Sequence, residues 1–260
     1  MLRKTYWYSM GWVYLIVTYP MLWLVRFYGR IGSIDKKENL ADKMSSRICR
    51  VLFYLSGSKI TISGLENVPE EGAVLFVSNH QGHFDGLVIH GFIDKPKGFV
   101  SIVEASKAPV ISTWMREMNS VFMDRKDLRQ SLSCINESIQ LLQKGHSMVV
   151  FPEGKLSASA VPNEFNRGWL KLATRSGVPI VPVSIDGTYK AFGKNGEWVK
   201  PAHVKCVVSK PIYISAIKKT DENAFVNNLK TIIMKHVSGS GFEITNQSGE
   251  VEENPLEKLN

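Results

Sequence analysis

The sequence predicts an α/β protein with a layered, largely parallel sheet and flanking helices, preceded by an N-terminal membrane-associated two-helix segment. Short apolar runs alternate with longer amphipathic stretches after residue 58, and an uncharged aromatic stretch opens the chain. The 260 residues are 44% hydrophobic, which is enough for one sizeable core. With only 22% charged residues, the composition excludes an intrinsically disordered protein.

The N-terminal stretch has the length and composition of a membrane helix. No charged residue occurs from Thr5 to Val25, between Lys4 and Arg26. A helix needs roughly 20 apolar residues to span a bilayer. The stretch is rich in Trp and Tyr, which prefer the headgroup level, and Pro20 predicts a kink. The missing small-residue cleavage site argues against a signal peptide, while a buried core helix is an open alternative.

The next stretch predicts a basic amphipathic helix. Its apolar residues recur in steps of three or four, and lysines and arginines surround them. This pattern fits a helix lying on an anionic surface, and equally a helix packed on a domain with its outer face in water. We hypothesise that the two segments form a hairpin that dips into one leaflet. The apolar stripe is Leu40, Met44, Ile48, Val51 and Leu55.

The rest of the chain alternates between predicted strands and helices. The strands are Ala73 to Ser78, Gly98 to Val103, Ser120 to Met123, Ser147 to Phe151, Pro179 to Ile185 and Val204 to Val208. The helices are Asp127 to Lys144, Arg167 to Ser176 and Asp221 to His236. We therefore expect membrane-associated helices over 1–58, an α/β domain over 59–237 and a polar, mobile tail over 238–260.

Charge and cysteine content narrow the partners and the compartment. The net charge is +8, and the acidic tail makes the body before it still more basic, which suits nucleic acid, an anionic bilayer or phosphorylated substrates. No recognisable nucleic-acid motif accompanies the charge, so we expect no nucleic-acid partner. Cys49, Cys134 and Cys206 are far apart, which predicts neither disulfides nor a zinc site and fits a reducing, cytosol-facing compartment.

One loop carries residues with catalytic chemistry. The first predicted strand runs into Asn79-His80-Gln81-Gly82-His83-Phe84-Asp85, and α/β domains place their sites at the carboxyl ends of parallel strands. An imidazole takes a proton at neutral pH, and a carboxylate on its other nitrogen fixes the tautomer. No Gly-x-Ser-x-Gly elbow occurs, and no cysteine lies near. The pair therefore suits a reaction in which one substrate supplies the hydroxyl and the other is already activated.

Four segments together resemble the motifs of the glycerophospholipid acyltransferase family, and the lysophosphatidic acid acyltransferases in particular. They are Asn-His-x4-Asp at 79–85, Val121 to Arg125, Phe151 to Gly154, and Val178 to Val183, in family order. Glu104, Lys107, Pro109, Trp114, Phe165 and Gly168 add to a resemblance that covers roughly 60–215.

The resemblance implies a reaction and a location. An acyl group would pass from acyl-CoA or acyl-ACP to the sn-2 hydroxyl of 1-acyl-glycerol-3-phosphate, giving phosphatidic acid. The enzyme would need no metal and no cofactor beyond this acyl carrier. It would work on an anionic membrane surface at the cytoplasmic face of the cell membrane. Glycerol-3-phosphate or another lysolipid is an alternative acceptor.

The resemblance also implies a role for each site residue. His80 would be the general base and Asp85 would orient it, with backbone amides near Gly82 or Gly154 as candidate oxyanion donors. The third motif of the family continues Thr-Arg, whereas this chain continues Lys155-Leu156, which puts part of the phosphate contact in question. Asn166 likewise replaces a family lysine. The implied substrate-binding residues are Lys107, Arg125, Glu153, Gly154 and Lys155.

Some of these residues could have purely structural roles, and two other functions are open. Glu153 could pair with a lysine, and Arg125 with Asp124 or Asp127. A metal-dependent hydrolase would use His80, His83, Asp85 and His90 as ligands, and would lose activity with a chelator. A non-catalytic basic membrane-binding module would need neither His80 nor Asp85.

Overall fold

In a computed structural model, which describes residues 2–193, 196–214 and 221–240, the chain forms one sheet with helices on both faces. The strands are β1 Lys59–Ser63, β2 Leu75–Ser78, β3 Lys97–Ile102, β4 Val121–Met123, β5 Ser147–Val150, β6 Ile180–Asp186 and β7 His203–Val208. The helices are α1 Leu2–Thr18, α2 Met21–Arg30, α3 Ile34–Leu55, α4 Phe84–Phe92, α5 Ile111–Glu117, α6 Leu128–Gln143, α7 Leu170–Ser176, α8 Thr188–Ala191 and α9 Glu222–Met234. The predicted tail falls largely on 241–260, outside the described residues.

The sheet confirms the largely parallel prediction. Its strand order is β1-β7-β6-β2-β5-β3-β4, and only β6 and β7 pair antiparallel. β1 and β7 therefore run against the other strands. The carboxyl ends of β2, β3, β4, β5 and β6 lie at one edge, where the catalytic loop was predicted.

Alternation along the central strands builds two cores. In β2, Leu75 and Val77 face a cluster that contains residues of α6, α7 and α9, whereas Phe76 faces a cluster that contains residues of α4 and of the end of α3. Successive side chains of a strand point to opposite faces, and these strands are apolar on both. The site loop therefore rises from a strand that is buried on both sides.

Most predicted elements are present, and the departures have local causes. The strand β1 was not predicted: it lies at the sheet edge, and its residues alternate polar and apolar and do not form the continuous apolar run that marks the buried strands. Helix α7 begins at Leu170 and not at Arg167, because the chain just before it is held elsewhere: the backbone N–H and the side-chain amide of Asn166 both donate to the Pro152 carbonyl. Asp127 caps α6 as expected, accepting from the amides of the first turn.

The N-terminal helices bend where proline predicts it. α1 ends at Thr18 and α2 begins at Met21, after Pro20. The stretch Leu2–Arg30 is long and apolar enough to cross a membrane: an 18-residue window within it has a mean hydropathy of 1.3, and only 28% of that window is buried. That exposure argues against the buried core helix. Exposed aromatic residues on it include Tyr6, Trp12, Tyr19, Trp23 and Phe27.

Helix α3 joins this segment to the α/β domain. One side packs on α4, where Ser45 Oγ lies 2.7 Å from His90 Nε2 and Cys49 lies against Gly91. Another side carries most of the predicted apolar stripe and packs with α1, α2 and Trp114 in one cluster. Because the stripe is covered by the first segment, it does not lie on a bilayer. The packed-helix alternative is the one that the structure favours.

A buried lysine ends helix α4. Lys97 is 4% exposed, and its Nζ donates to the carbonyls of Ile93 at 2.7 Å and Lys95 at 2.6 Å. These carbonyls follow the last turn of α4, so the ammonium group caps the helix whose first turn carries Asp85. Burial lowers the pKa of Lys97 to about 8.

We expect this pKa to make stability depend on alkaline pH. Between about pH 8 and pH 10 the unfolded chain keeps the Lys97 proton and the folded chain loses it, so the free energy of unfolding rises with pH, by at most about 1.4 kcal/mol per unit. Denaturant unfolding in detergent from pH 7 to 10 should show this rise in the wild type relative to Lys97→Met. The exposed-lysine variant Lys59→Met should follow the wild type. A wild-type-minus-Lys97→Met difference that stays constant across this range contradicts the assignment.

Candidate active site

A histidine and a buried aspartate meet where β2 ends. Asp85, in the first turn of α4, has no exposed surface, and its Oδ2 accepts from His80 Nδ1 at 2.8 Å and from Gly82 N at 2.9 Å. Its Oδ1 accepts from the hydroxyl of Thr188. Because Nδ1 is held by the carboxylate, Nε2 is the nitrogen that can take a proton. The side chain of His80 is 21% exposed, so a substrate can reach it.

The loop after β5 fixes His80 from the other side. The imidazole stacks on Phe151, with ring centroids 4.0 Å apart and 15° between the planes. The backbone N–H of His80 donates to Glu153 Oε1 at 2.7 Å, and its carbonyl accepts from Ser157 N at 2.9 Å. The first and third sequence motifs are therefore one hydrogen-bonded unit.

Glu153 orders this unit through both of its oxygens. While Oε1 accepts from His80, Oε2 accepts from the backbone N–H and the side-chain amide of Asn163 at 2.8 and 2.9 Å. Burial raises the pKa of Glu153, and these hydrogen bonds oppose the rise. Among the described residues no lysine pairs with it, so the ion-pair alternative is not what holds this carboxylate.

Replacing Glu153 with glutamine should therefore weaken the site. Glutamine must present its NH₂ group either to the His80 N–H or to the two Asn163 donors, because the carboxylate now accepts at both ends. We expect kcat to fall about tenfold and the melting temperature to drop, which acyl-transfer kinetics and thermal unfolding measure. The exposed variant Glu66→Gln is the control. Unchanged kcat in Glu153→Gln would remove the ordering role.

Arg125 lies against the backbone of Gly154. A Cβ built on Gly154 would meet Arg125 Cζ and Nη1 at 3.7 Å and Asn166 Nδ2 at 3.3 Å, and Gly154 has a φ of +72°. Only glycine takes this conformation readily. The guanidinium of Arg125 lies next to this glycine, which follows Glu153 in the chain. The structure thus places Arg125, Glu153, Gly154 and His80 in one cluster.

The guanidinium of Arg125 is available for a ligand. Asp124 Oδ1 accepts from Lys126 N, and Asp127 Oδ1 accepts from two amides of α6. No ion pair of Arg125 occurs in the part of the chain that the structure describes. The exposed fork can therefore bind a phosphate group through two parallel hydrogen bonds.

The two predicted lysines are exposed at the same edge. Lys155 follows Gly154 directly, and Lys107 ends the 3₁₀ turn Val103–Lys107 that follows β3. Asn166 stands where the family has a lysine, and its side-chain amide donates to the Pro152 carbonyl. It therefore stabilises the loop and adds no positive charge to the site. Arg125 and Lys155 are thus two cations beside the third motif.

Oxyanion donors were predicted among the backbone amides near Gly82 and Gly154, and the amides of these two glycines themselves are engaged in local hydrogen bonds. Gly82 N donates to Asp85, and Gly154 N donates to the Phe151 carbonyl at 3.0 Å. Each of these two amides closes a local turn that shapes the site, so an oxyanion donor near these glycines would have to be another backbone amide. Sequence spacing does not show which backbone donors a turn consumes.

The predicted first motif also reaches the strand of the fourth. Asn79 brackets Ile185 on β6, donating to its carbonyl at 2.8 Å and accepting from its N–H at 2.9 Å. Gln81 Oε1 accepts from Gly187 N at 2.9 Å. Sequence reasoning missed Thr188, although it follows an Asp-Gly turn at the end of a predicted strand.

The remaining histidines do not complete a metal site. His83 is exposed with its ring against Phe192, centroids 5.4 Å apart, whereas His90 is buried against Ser45. Burial lowers the pKa of His90 well below its usual value. Among the described residues no group of three or more His, Cys, Asp or Glu is placed to hold a metal ion, so the geometry gives the hydrolase alternative no ligand set.

An apolar cavity of about 460 Å³ opens beside the first motif. Helix α1 forms one wall, and the catalytic side of the domain forms the other. The cavity lies next to His83, three residues after the imidazole of the pair. Its lining includes Trp7, Gly11, Trp12, Leu15, Leu52 and Phe192.

Fold and site together define an α/β domain in which a histidine, hydrogen-bonded to a buried carboxylate, shares a cluster with an exposed guanidinium. A family model described as Acyltransferase matches residues 59–186, which include the His80–Asp85 pair, Arg125 and Glu153. The chain belongs to the acyltransferase family.

Individual proteins that are similar to this chain are acyltransferases as well. A probable 1-acyl-sn-glycerol-3-phosphate acyltransferase of Mycoplasma pneumoniae is 36% identical over 55% of this chain and 54% of its own length. A chloroplastic 1-acyl-sn-glycerol-3-phosphate acyltransferase of Arabidopsis thaliana is 30% identical over 77% of this chain and 54% of its own length. The chain thus spans about half the length of these two relatives. A probable 1-acyl-sn-glycerol-3-phosphate acyltransferase of Mycoplasma genitalium is 31% identical over 72% of this chain and 74% of its own length.

A solved structure is similar over nearly the whole chain. The crystal structure of the 1-acyl-sn-glycerophosphate (LPA) acyltransferase PlsC from Thermotoga maritima superposes with a TM-score of 0.79 at 25% identity. The match covers 96% of this chain and 97% of that one. It therefore includes the N-terminal helices as well as the α/β domain.

Proposed function

We propose that this chain is a 1-acylglycerol-3-phosphate O-acyltransferase. It transfers a fatty-acyl group from acyl-CoA or acyl-ACP to the sn-2 hydroxyl of 1-acyl-glycerol-3-phosphate, giving phosphatidic acid for phospholipid biosynthesis. The observation that carries the proposal is the His80–Asp85 pair in one cluster with the exposed guanidinium of Arg125. The printed names of the relatives point to the same acceptor.

The geometry supports direct transfer with no acyl-enzyme. His80 Nε2 takes the proton of the acceptor hydroxyl as its oxygen attacks the thioester carbonyl, and Asp85 stabilises the imidazolium through Nδ1. When the tetrahedral intermediate collapses, the C–S bond breaks and the thiolate leaves, a step that a thiol pKa of about 8.5 makes easy. The imidazolium proton goes to the thiolate. The scheme needs no metal and no cofactor.

Two features suit an acceptor that carries a phosphate and an acyl chain. Arg125 offers the phosphate a planar fork, and Lys155 adds a point charge. The apolar cavity beside His83 gives an acyl chain a place out of water. Because Lys155-Leu156 and Asn166 depart from the family pattern, glycerol-3-phosphate or another lysolipid is the second candidate acceptor.

We propose that the enzyme works at the cytoplasmic face of the cell membrane, and the N-terminal segment supports a membrane location. α1 and α2 expose aromatic and aliphatic side chains on one side, while Leu15, Leu22 and Val25 pack against the domain through Ile48 and Trp114. Because α1 and α2 pack against the domain, we favour a hairpin that dips into one leaflet over a helix that crosses the whole bilayer. The basic body adds attraction to an anionic surface and to an acidic acyl carrier.

The membrane contact is testable on α2. Trp23 is 73% and Phe27 52% exposed, and both lie on one face because they are four residues apart. The double variant Trp23→Ser/Phe27→Ser should bind anionic vesicles at least tenfold more weakly in a flotation assay, since each side chain loses apolar burial in lipid. Tyr213→Ser, on an exposed aromatic residue of the α/β domain, is the control. Equal binding of all three proteins contradicts the proposal.

The reaction itself is tested by product analysis. Detergent-solubilised wild type, given a labelled acyl thioester and lysophosphatidic acid, should yield labelled phosphatidic acid with no loss of rate in the presence of a chelator. The metal-dependent hydrolase predicts labelled free fatty acid and loss of activity with the chelator. Release of fatty acid without phosphatidic acid would overturn the proposal.

A further inference from the structure

We propose that Thr188 is a positioning residue for the His80–Asp85 pair, holding the aspartate carboxylate in the orientation that His80 requires. The inference rests on the proposed function, because it assigns Thr188 a role in acyl transfer. Thr188 lies at the start of α8, outside the four sequence motifs, and it reaches the pair from the far end of β6.

The carboxylate of Asp85 has two differently used oxygens. Oδ2 accepts from His80 Nδ1 and from Gly82 N, whereas Oδ1 accepts from Thr188 Oγ1. Both Asp85 and Thr188 have no exposed surface, so water does not replace a missing donor. The hydroxyl therefore fixes the rotation of the carboxylate about its χ2 angle, which is otherwise soft.

The position of Thr188 is itself over-determined. Asn79 forms two hydrogen bonds with the backbone of Ile185, and Gln81 accepts one from Gly187 N. The loop that carries His80 is therefore hydrogen-bonded to the turn before Thr188. Gly187 has a φ of +97°, and a Cβ there would meet the His203 carbonyl oxygen at 2.6 Å. The turn is thus fixed by β7 on one side and by the first motif on the other.

Close packing also joins the two loops. A Cβ on Gly82 would lie 3.3 Å from the backbone carbonyl of Thr188. The amide that supports Oδ2 and the hydroxyl that supports Oδ1 therefore come from loops in direct contact. Removing the hydroxyl leaves Oδ1 buried without this donor, and the carboxylate can turn Oδ1 toward His80 or Gly82.

The test compares variants that differ in one group. Thr188→Val removes the hydroxyl and keeps the shape, and Thr188→Ser keeps the hydroxyl and removes the methyl group. Thr174→Val is the matched control, because the Thr174 hydroxyl donates to the Leu170 carbonyl within α7, which is not part of the site. We expect Thr188→Val to lower kcat about tenfold with KM for lysophosphatidic acid unchanged. Thr188→Ser should keep kcat within about threefold of the wild type, as Thr174→Val should.

A second readout needs no substrate. The Nδ1 proton of His80, hydrogen-bonded to a buried carboxylate, should give a separate downfield signal in ¹⁵N-labelled protein, identified by its loss in His80→Gln. Thr188→Val should shift or abolish this signal, while Thr188→Ser and Thr174→Val preserve it. Because the spectrum is recorded without acyl donor or acceptor, it separates a wrong role for Thr188 from a wrong reaction.

Either of two results overturns the inference. One is wild-type kcat together with a wild-type Nδ1 signal in Thr188→Val. The other is a Thr188→Ser protein as impaired as Thr188→Val, which would assign the effect to packing. If Thr188→Val fails to fold, Thr188→Ala against Thr188→Ser gives the same comparison with a side chain that fits without strain.

Discussion

Replacing His80 with alanine should lower kcat for acyl transfer about a thousandfold, because the acceptor hydroxyl then has no base within reach. Positioned proton transfer contributes on the order of 10²- to 10⁴-fold. Here the imidazole is held by Asp85, by the ring of Phe151 and through its own backbone by Glu153, so no neighbouring group takes over the geometry. Initial rates with a labelled acyl thioester and lysophosphatidic acid in detergent measure the loss.

A second histidine supplies the control for this variant. His203 lies on β7 with its ring 2.7 Å from Thr61 Oγ1, away from the catalytic loop, and His203→Ala should retain wild-type kcat. Thermal unfolding of both variants separates lost chemistry from lost folding. A His80→Ala enzyme with more than a tenth of the wild-type kcat would show that His80 is not the base.

Removing the guanidinium of Arg125 should have the second-largest effect, and it should appear in acceptor binding. A bidentate charge-assisted contact to phosphate is worth enough to raise KM for lysophosphatidic acid about 10- to 100-fold in Arg125→Ala. We expect kcat to change much less, because in the proposed complex Arg125 contacts the phosphate and not the hydroxyl that reacts. Steady-state kinetics with lysophosphatidic acid as the varied substrate give both constants.

The chain offers a matched control and an informative second variant. Arg129 is exposed one turn further along, on α6, and Arg129→Ala should leave KM near the wild-type value. Arg125→Lys should recover only part of the loss, since lysine is a point charge without the fork. An equal rise of KM for monoacylglycerol, which has no phosphate, would contradict a phosphate contact.

The chemistry of the site follows from the sequence because its motifs end parallel strands. The family resemblance implied that the segments after β2, β4 and β5 form one site, and the structure brings His80, Arg125 and Glu153 together at that edge. Strands that are apolar on both faces, such as β2, are recognisable without any tertiary information. The helix α6 was equally clear from its spacing and its Asp127 cap.

What the sequence does not show depends on contacts between distant segments. Thr188 reaches Asp85, and Asn163 reaches Glu153, only because segments distant in sequence pack together, and neither residue lies in one of the recognised motifs. The stripe on α3 has the period of a surface helix, yet α1 and α2 cover it, because periodicity reveals an apolar face and not its partner. The sequence likewise does not show that the amides of Gly82 and Gly154 themselves are used within local turns.

Competition among acceptors is the most direct test of the central claim. Wild type in detergent receives one labelled acyl thioester together with equal concentrations of lysophosphatidic acid, glycerol-3-phosphate and lysophosphatidylcholine, and the labelled lipids are separated after a short incubation. If the site joins the His80 base to a phosphate contact at Arg125 and an apolar cavity for the acyl chain, nearly all of the transferred label appears in phosphatidic acid. Label mainly in the products of the other two acceptors, or in free fatty acid, contradicts the account.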